Sequence, residues 1–94
     1  MPMMPKITLI EMNDGSCKVK ADMTEYDQGV KYIHVKESQW KMLQGMFKYY
    51  KGALMQDCFH FLQPEEREFM LTGMTPAEQV RFYNELETSM GSVE

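Results

Sequence analysis

The chain has 94 residues, of which 44% are hydrophobic and 26% are charged, and its net charge is −4. This length provides one hydrophobic core and excludes an enzyme domain joined to a regulatory domain, while the composition excludes a disordered chain. No apolar run approaches the ~20 residues that span a bilayer, the first residues do not have the pattern of a signal peptide, and the two cysteines show no disulfide spacing. We therefore expect a soluble cytoplasmic protein without membrane contact.

Residues 6–35 have the pattern of a β region that follows a flexible start at residues 1–5. Two strands, from Lys6 to Met12 and from Cys17 to Met23, flank Asp14 and Gly15, a pair that favours a hairpin turn. In the second strand, alternate residues are apolar and are expected to face the core: Cys17, Val19, Ala21 and Met23. A third strand is predicted from Val30 to Val35, so the region forms a hairpin or a three-stranded antiparallel sheet.

Residues 37–62 carry the largest apolar mass of the chain. Apolar side chains recur there at steps of three and four, as on one side of a helix: Trp40, Leu43, Phe47, Tyr50, Leu54, Cys58 and Phe61. We expect Trp40, Leu43 and Phe47 to be buried, and the opposite side to be solvated: Lys41, Gln44, Lys48 and Lys51. Gly52 predicts a break. Further apolar residues make this face too wide for one neighbour, so the sheet, the C-terminal helices or another subunit must cover the excess.

The clearest helix boundaries lie between Gln63 and Glu87. Pro64 and the acidic residues after it predict the start of a short helix that ends at Thr72, where Gly73 supplies a left-handed residue. Thr75 and Glu78 form a capping box around Pro76, so a last helix should run from about Pro76 to Met90. The sequence therefore predicts one α+β domain over residues 1–94, in which three to four helices, within residues 37–90, follow the sheet.

The segment from Cys58 to Gln79, CFHFLQPEEREFMLTGMTPAEQ, combines a Cys-Phe element, an acidic turn, Arg-Glu-Phe, Thr-Gly and a Thr-Pro-x-Glu cap. In this it resembles a segment of small phage and prophage proteins. The resemblance covers under a quarter of the chain and assigns no role to any residue. It implies an accessory protein of a mobile element, a class that includes inhibitors of bacterial defence systems.

Few residue patterns suggest chemistry. Cys17, His34, Cys58 and His60 lack the paired close spacings of a zinc site, and Cys58 lies on the apolar stripe, where thiols are usually inert. Three glutamates near Pro64 are typical helix-start residues. We therefore expect no catalytic residue, cofactor or metal. One candidate binding patch combines cations with aromatic rings: Trp40, Lys41, Lys48, Tyr49 and Lys51.

Two functions remain open at this point. We expect a phage-type accessory protein, not an enzyme, that binds and modulates a host protein and forms a homo-oligomer. The alternative is a small-ligand, nucleotide or nucleic-acid binder that uses the Lys and aromatic helix face. The net charge of −4 disfavours nucleic acid, and residues 63–94 hold seven acidic and two basic groups.

Overall fold

A computed structural model of the chain describes the backbone of residues 5–91 and the side chains as far as Glu87. Of the expected flexible start, residues 1–4 lie outside this range. The described elements are, in order, β1 (Lys6–Glu11), β2 (Cys17–Asp22), a 3-10 turn (Thr24–Tyr26), β3 (Val30–Val35), α1 (Gln39–Tyr50), α2 (Met55–Cys58), α3 (Pro64–Thr72) and α4 (Pro76–Gly91). The chain is an α+β protein in which a sheet precedes four helices, as predicted.

The sheet is antiparallel with strand order β1-β2-β3. Gly15 adopts a positive φ of 85° in the β1–β2 turn, as the Asp-Gly pair predicts. The register places Leu9, Val19 and Ile33 side by side on the face that the helices cover. The other face carries alternate residues such as Lys20 and Tyr32, which point away from the core. The predicted inward residues of β2 and its extension, Cys17, Val19, Ala21 and Met23, are all buried.

The core lies between this covered face and the helices. From α1 it receives Met42 and Tyr49, and from α3 it receives Phe69 and Met70, all of which are buried. Gly45 lies in the middle of α1 against the ring of Phe59; a Cβ atom built on this glycine would come within 2.5 Å of that ring. The absence of a side chain at this position therefore lets a fully buried aromatic ring rest on the helix backbone.

The prediction that Trp40, Leu43 and Phe47 are buried is wrong, because all three are exposed. With about 100° between successive residues, the apolar arc of α1 extends over roughly 220°, which is more than one neighbour covers. The core takes the side of this arc that contains Gly45. The polar stripe of Lys41, Gln44, Lys48 and Lys51 faces solvent, as predicted. The predicted break is also present, since α1 ends at Tyr50 and Gly52 has a φ of 104°.

The junction between α3 and α4 follows the predicted signals. Gly73 is left-handed, with a φ of 77°. The Thr75 N–H donates to Glu78 Oε1 at 2.9 Å, and the Glu78 N–H donates to Thr75 Oγ1 at 3.2 Å, which completes the capping box. Gln79 Nε2 donates to the carbonyl groups of Glu65 and Met74 at 2.9 and 2.8 Å. These contacts fix the orientation of α4 relative to α3.

The molecule is elongated. Its radius of gyration is 14.8 Å and its longest axis is 49 Å, whereas a compact chain of this length has a radius of gyration of about 12 Å. Every side chain of α4 from Val80 to Glu87 is exposed. The helix therefore extends into solvent beyond the contacts that hold its first turn. Within the described residues, no helix has the length and hydropathy to cross a membrane.

Candidate protein-binding surface

The outer side of α1 exposes a row of large apolar side chains. We call this row, Trp40, Leu43, Phe47 and Tyr50, the α1 stripe; its members follow at steps of three, four and three and therefore share one side of the helix. The three aromatic residues are 67 to 69% exposed. Single exposed apolar residues are ordinary on protein surfaces, but a contiguous row of aromatic side chains is typical of an interaction site.

A second apolar surface lies on the exposed part of α4, residues 80–87, which we call the α4 overhang. Four of its side chains are apolar and 43 to 60% exposed: Val80, Phe82, Tyr83 and Leu86. Their spacing places them around the side of the helix that Gln79 occupies one turn earlier. Gln79 is buried. The face that packs at the start of α4 therefore continues into solvent.

The two surfaces differ in charge. The sequence of α1 contains no acidic residue, and Lys48 and Lys51 lie exposed on the polar side that borders the α1 stripe. Lys41 has other contacts, since its Nζ lies 3.3 Å from Glu37 Oε2 and 4.6 Å from the centre of the Phe61 ring. On the α4 overhang, Glu85 and Glu87 are exposed at the borders of the apolar side, and the exposed Arg81 lies on the side of the helix that faces away from Tyr83 and Leu86. A basic apolar surface and an acidic apolar surface are thus present on one chain.

The five candidate residues chosen from the sequence do not form one surface. Tyr49 is buried on the core side of α1, whereas Trp40 and Lys51 are exposed. Lys41 is engaged by Glu37 and Phe61. Lys51 lies one helical turn from Phe47, and Lys48 lies one turn from Lys51 on the polar side. A base or nucleotide on this helix could therefore not stack on Tyr49, and it would meet fewer cations than the sequence suggests.

Glu78 is the ionisable group that most directly links α4 to the sheet. Lys31 of β3 donates to its carboxylate, with Nζ 2.9 Å from Oε2. The hydrogen bond from the Thr75 N–H, together with the Lys31 ammonium, holds the pKa of the Glu78 carboxyl below its usual range, although partial burial acts in the opposite direction. This carboxylate therefore helps to set the orientation of α4.

The cysteines are poorly placed for chemistry. Cys17 and Cys58 are buried free thiols, and burial raises the pKa of both, so their reactive thiolate forms are disfavoured at neutral pH. Cys17 points to the covered side of the sheet, and His34 belongs to the opposite face because it alternates with the buried Val35. Among the described residues, no three His, Cys, Asp or Glu side chains converge as metal ligands would.

A polar cluster that the sequence did not suggest joins the β1–β2 turn to β3. Ser16 Oγ lies 2.5 Å from both Asp14 Oδ1 and His34 Nε2. In a hydrolase triad the carboxylate binds the histidine and the histidine binds the hydroxyl; here the carboxylate accepts directly from the serine, which is buried. The hydrogen bonds from Ser16 hold the pKa of Asp14 below its usual range. This arrangement is that of a structural cluster that holds the β1–β2 turn against β3, and it does not activate the serine as a nucleophile.

The acidic start of α3 also has a structural role. The Gln63 N–H donates to Glu66 Oε1 at 2.8 Å, which caps the helix. Two shallow grooves of about 450 Å³ each lie on either side of α3 and share Pro64 and Glu68. Val80 and Tyr83 line the second groove, so the α4 overhang begins at its edge.

No family model, curated protein or solved structure matches this chain. The resemblance of residues 58–79 to phage proteins therefore stays a prediction. Among the described residues, large apolar side chains such as Tyr26 and Tyr32 are exposed elsewhere too, but the α1 stripe and the α4 overhang form rows of them at helical spacing. A signal for the second was present in the sequence, since Val80, Tyr83 and Leu86 follow one another at steps of three.

Proposed function

We propose that this chain is a non-catalytic protein-binding factor whose α1 stripe contacts another polypeptide. The observation that supports this most strongly is the exposure of Trp40, Phe47 and Tyr50 in one row. Tryptophan and tyrosine are enriched among the residues that dominate binding energy, and large rings on a regular helix lose little conformational freedom on binding. Two lysines beside the row would favour a partner with acidic residues around an apolar face.

The more specific proposal is that the chain is a phage-type accessory protein that binds a host protein in the host cytoplasm and modulates it, as an inhibitor of a defence system does. This part depends on the resemblance of residues 58–79 to phage and prophage proteins. A helix face of this kind supports binding and inhibition because it can block a surface of the partner without any chemical step.

A capture experiment with matched aromatic variants tests this function. The wild type, Phe47→Ala and Tyr32→Ala are immobilised and exposed to a bacterial lysate, and captured proteins are identified and titrated in purified form by calorimetry. Tyr32 is a suitable control because it is an exposed ring on the open face of the sheet, away from α1. We expect a host protein that binds the wild type and Tyr32→Ala but loses at least about tenfold in affinity for Phe47→Ala, as hot-spot residues do.

Equal binding by all three proteins would contradict the role of the α1 stripe. The polyanion alternative has a separate test, in which Lys41, Lys48 and Lys51 are replaced together by Gln. Tight binding of a nucleotide or nucleic acid by the wild type at physiological salt, lost in this triple variant, would favour the alternative over the proposed function.

A further inference from the structure

We infer that the α1 stripe of one copy binds the α4 overhang of a second copy, so that two chains form a reciprocal dimer. This inference rests on the proposed function only in that both assign the α1 stripe to contacts with a polypeptide. A second copy presents the same two surfaces in return, which is the requirement for a closed two-fold contact.

No other part of the chain within residues 5–87 covers either surface. The capping box at Thr75, the two hydrogen bonds of Gln79 and the ion pair between Lys31 and Glu78 anchor the first turn of α4. The helix continues straight from this anchored turn, and the apolar side chains of the overhang remain 43 to 60% exposed even where Val80 and Tyr83 line the groove beside α3. The described part of the chain therefore leaves that face available to a second copy.

The two surfaces match in length and in character. From Trp40 to Tyr50 the stripe extends over about 15 Å of helix, and from Val80 to Glu87 the overhang extends over about 11 Å, at 1.5 Å for each residue. Both consist of aromatic and aliphatic side chains on one side of a helix, as in the helix pairs that pack ridges into grooves. Each stripe can therefore accept one overhang over most of its length.

Charge selects this pairing over the alternatives. If the two α1 stripes faced each other, Lys48 and Lys51 of one copy would approach the same lysines of the second copy. If the two α4 overhangs faced each other, Glu85 and Glu87 would approach the same glutamates. Stripe against overhang instead places lysines near glutamates. Like charges at an interface are costly and opposite charges fix the orientation of the partners, so the mixed pairing is favoured.

The apolar area is sufficient for a stable contact. The two surfaces together contain five aromatic rings that are 48 to 69% exposed, namely Trp40, Phe47, Tyr50, Phe82 and Tyr83. At about 150 to 250 Å² for each aromatic side chain, they offer on the order of 600 Å² per copy. Complete burial of these rings in two copies would remove roughly 1,200 Å² from water before any other residue is counted, which reaches the range of specific protein interfaces.

A charge-exchange experiment tests the pairing. Variant A carries Lys48→Glu and Lys51→Glu, and variant B carries Glu85→Lys and Glu87→Lys. In A both surfaces are acidic and in B both are basic, so each alone should dissociate about tenfold or more readily than the wild type. When A and B are mixed, every contact joins an acidic surface to a basic one, and we expect a heterodimer. Light scattering coupled to size exclusion measures the mass, and circular dichroism confirms that each variant is folded.

A matched control separates specific pairing from net charge. Lys18→Glu with Lys20→Glu changes the charge by the same amount as variant A but acts on the open face of the sheet, so this protein should dimerise like the wild type. A monomeric wild type at the highest concentration reached, a mixture of A and B that remains monomeric, or a control that dissociates as far as A would each overturn the inference.

Failure of this inference is distinguishable from failure of the proposed function. A monomeric wild type that still loses its host protein through Phe47→Ala overturns the dimer and leaves the proposed function in place. If the dimer responds to the charge exchange as expected but no captured protein depends on Phe47, the proposed function is overturned and the dimer stands.

Discussion

Replacing Phe47 by alanine tests which side of α1 belongs to the core, and Phe59→Ala provides a matched comparison. Phe59 is 0% exposed, so its truncation removes a fully buried ring and should cost ~3 to 5 kcal/mol of unfolding free energy. Phe47 is 67% exposed, so only a third of its side chain leaves water on folding. Since complete burial of a phenylalanine contributes about 1.5 to 3 kcal/mol, the expected cost at this position is about 0.5 to 1 kcal/mol.

Urea unfolding of the wild type and the two variants measures both values. The slope of the transition should stay constant, so that the shift of the midpoint reports stability alone. The lowest usable protein concentration keeps the chain monomeric and removes the contribution of association. At that dilution, a cost for Phe47→Ala equal to that for Phe59→Ala would refute the placement of the α1 stripe in solvent, and the proposed binding surface would fail with it.

Three further outcomes follow from the described contacts. Gly45→Ala should destabilise the fold by about 1 kcal/mol in urea unfolding, because overpacking against Phe59 costs ~1 to 3 kcal/mol and exceeds the helix propensity of ~1 kcal/mol gained from alanine; a stabilised variant would show that the ring can move aside. Thr75→Ala should cost ~1 kcal/mol in thermal unfolding by removing a helix cap, and an unchanged midpoint would exclude that cap. Because the pKa of Glu78 is lowered in the fold, its contribution is present at neutral pH and is lost as the pH falls below its ordinary value of 4.5. Glu78→Gln should therefore lower the free energy of unfolding at pH 7 and reduce its further decrease between pH 7 and acid pH. The same dependence of unfolding free energy on pH in the wild type and the variant would contradict the role of the ion pair with Lys31.

Local signals predicted most of the fold. The Asp14-Gly15 turn, the Gly73 terminator and the capping box of Thr75 act within a few residues, so their geometry can be inferred without tertiary contacts. The break near Gly52 belongs to the same class. The three strands and the last two helices have their predicted ends to within one residue, whereas α2 ends at Cys58, four residues before the predicted Leu62.

The orientation of α1 could not be inferred in the same way. Its apolar arc is so wide that either of two sides could face the core. Periodicity favours the side with the larger aromatic side chains, which is the α1 stripe. The structure uses the other side because Gly45 lets Phe59 approach the helix backbone. A glycine in the middle of an aromatic-rich helix indicates close packing, and this signal could have identified the buried side. The predicted binding patch includes Tyr49 because periodicity alone does not distinguish the two sides.

Lys41 shows a second limit of sequence reasoning. Its spacing from Lys48 and Lys51 suggests one basic patch, but its ammonium group is held by Glu37 and by the ring of Phe61, which is distant in sequence. The same is true of His34, whose contact with Ser16 depends on the pairing of β2 with β3. Contacts of this kind follow from tertiary structure and leave no local pattern.

Both proposals assign the α1 stripe to a contact, so dimerisation and binding of a host protein should compete for it. If a second copy covers the stripe, a host protein must displace the α4 overhang before it can bind. The apparent affinity for the host protein is then reduced by the fraction of chains in which the stripe is free. Dissociation of the dimer by variant B leaves Trp40, Phe47 and Tyr50 unaltered, so this variant should bind the host protein more tightly than the wild type does. A host protein that bound the wild-type dimer and variant B equally would have to use a surface other than the α1 stripe.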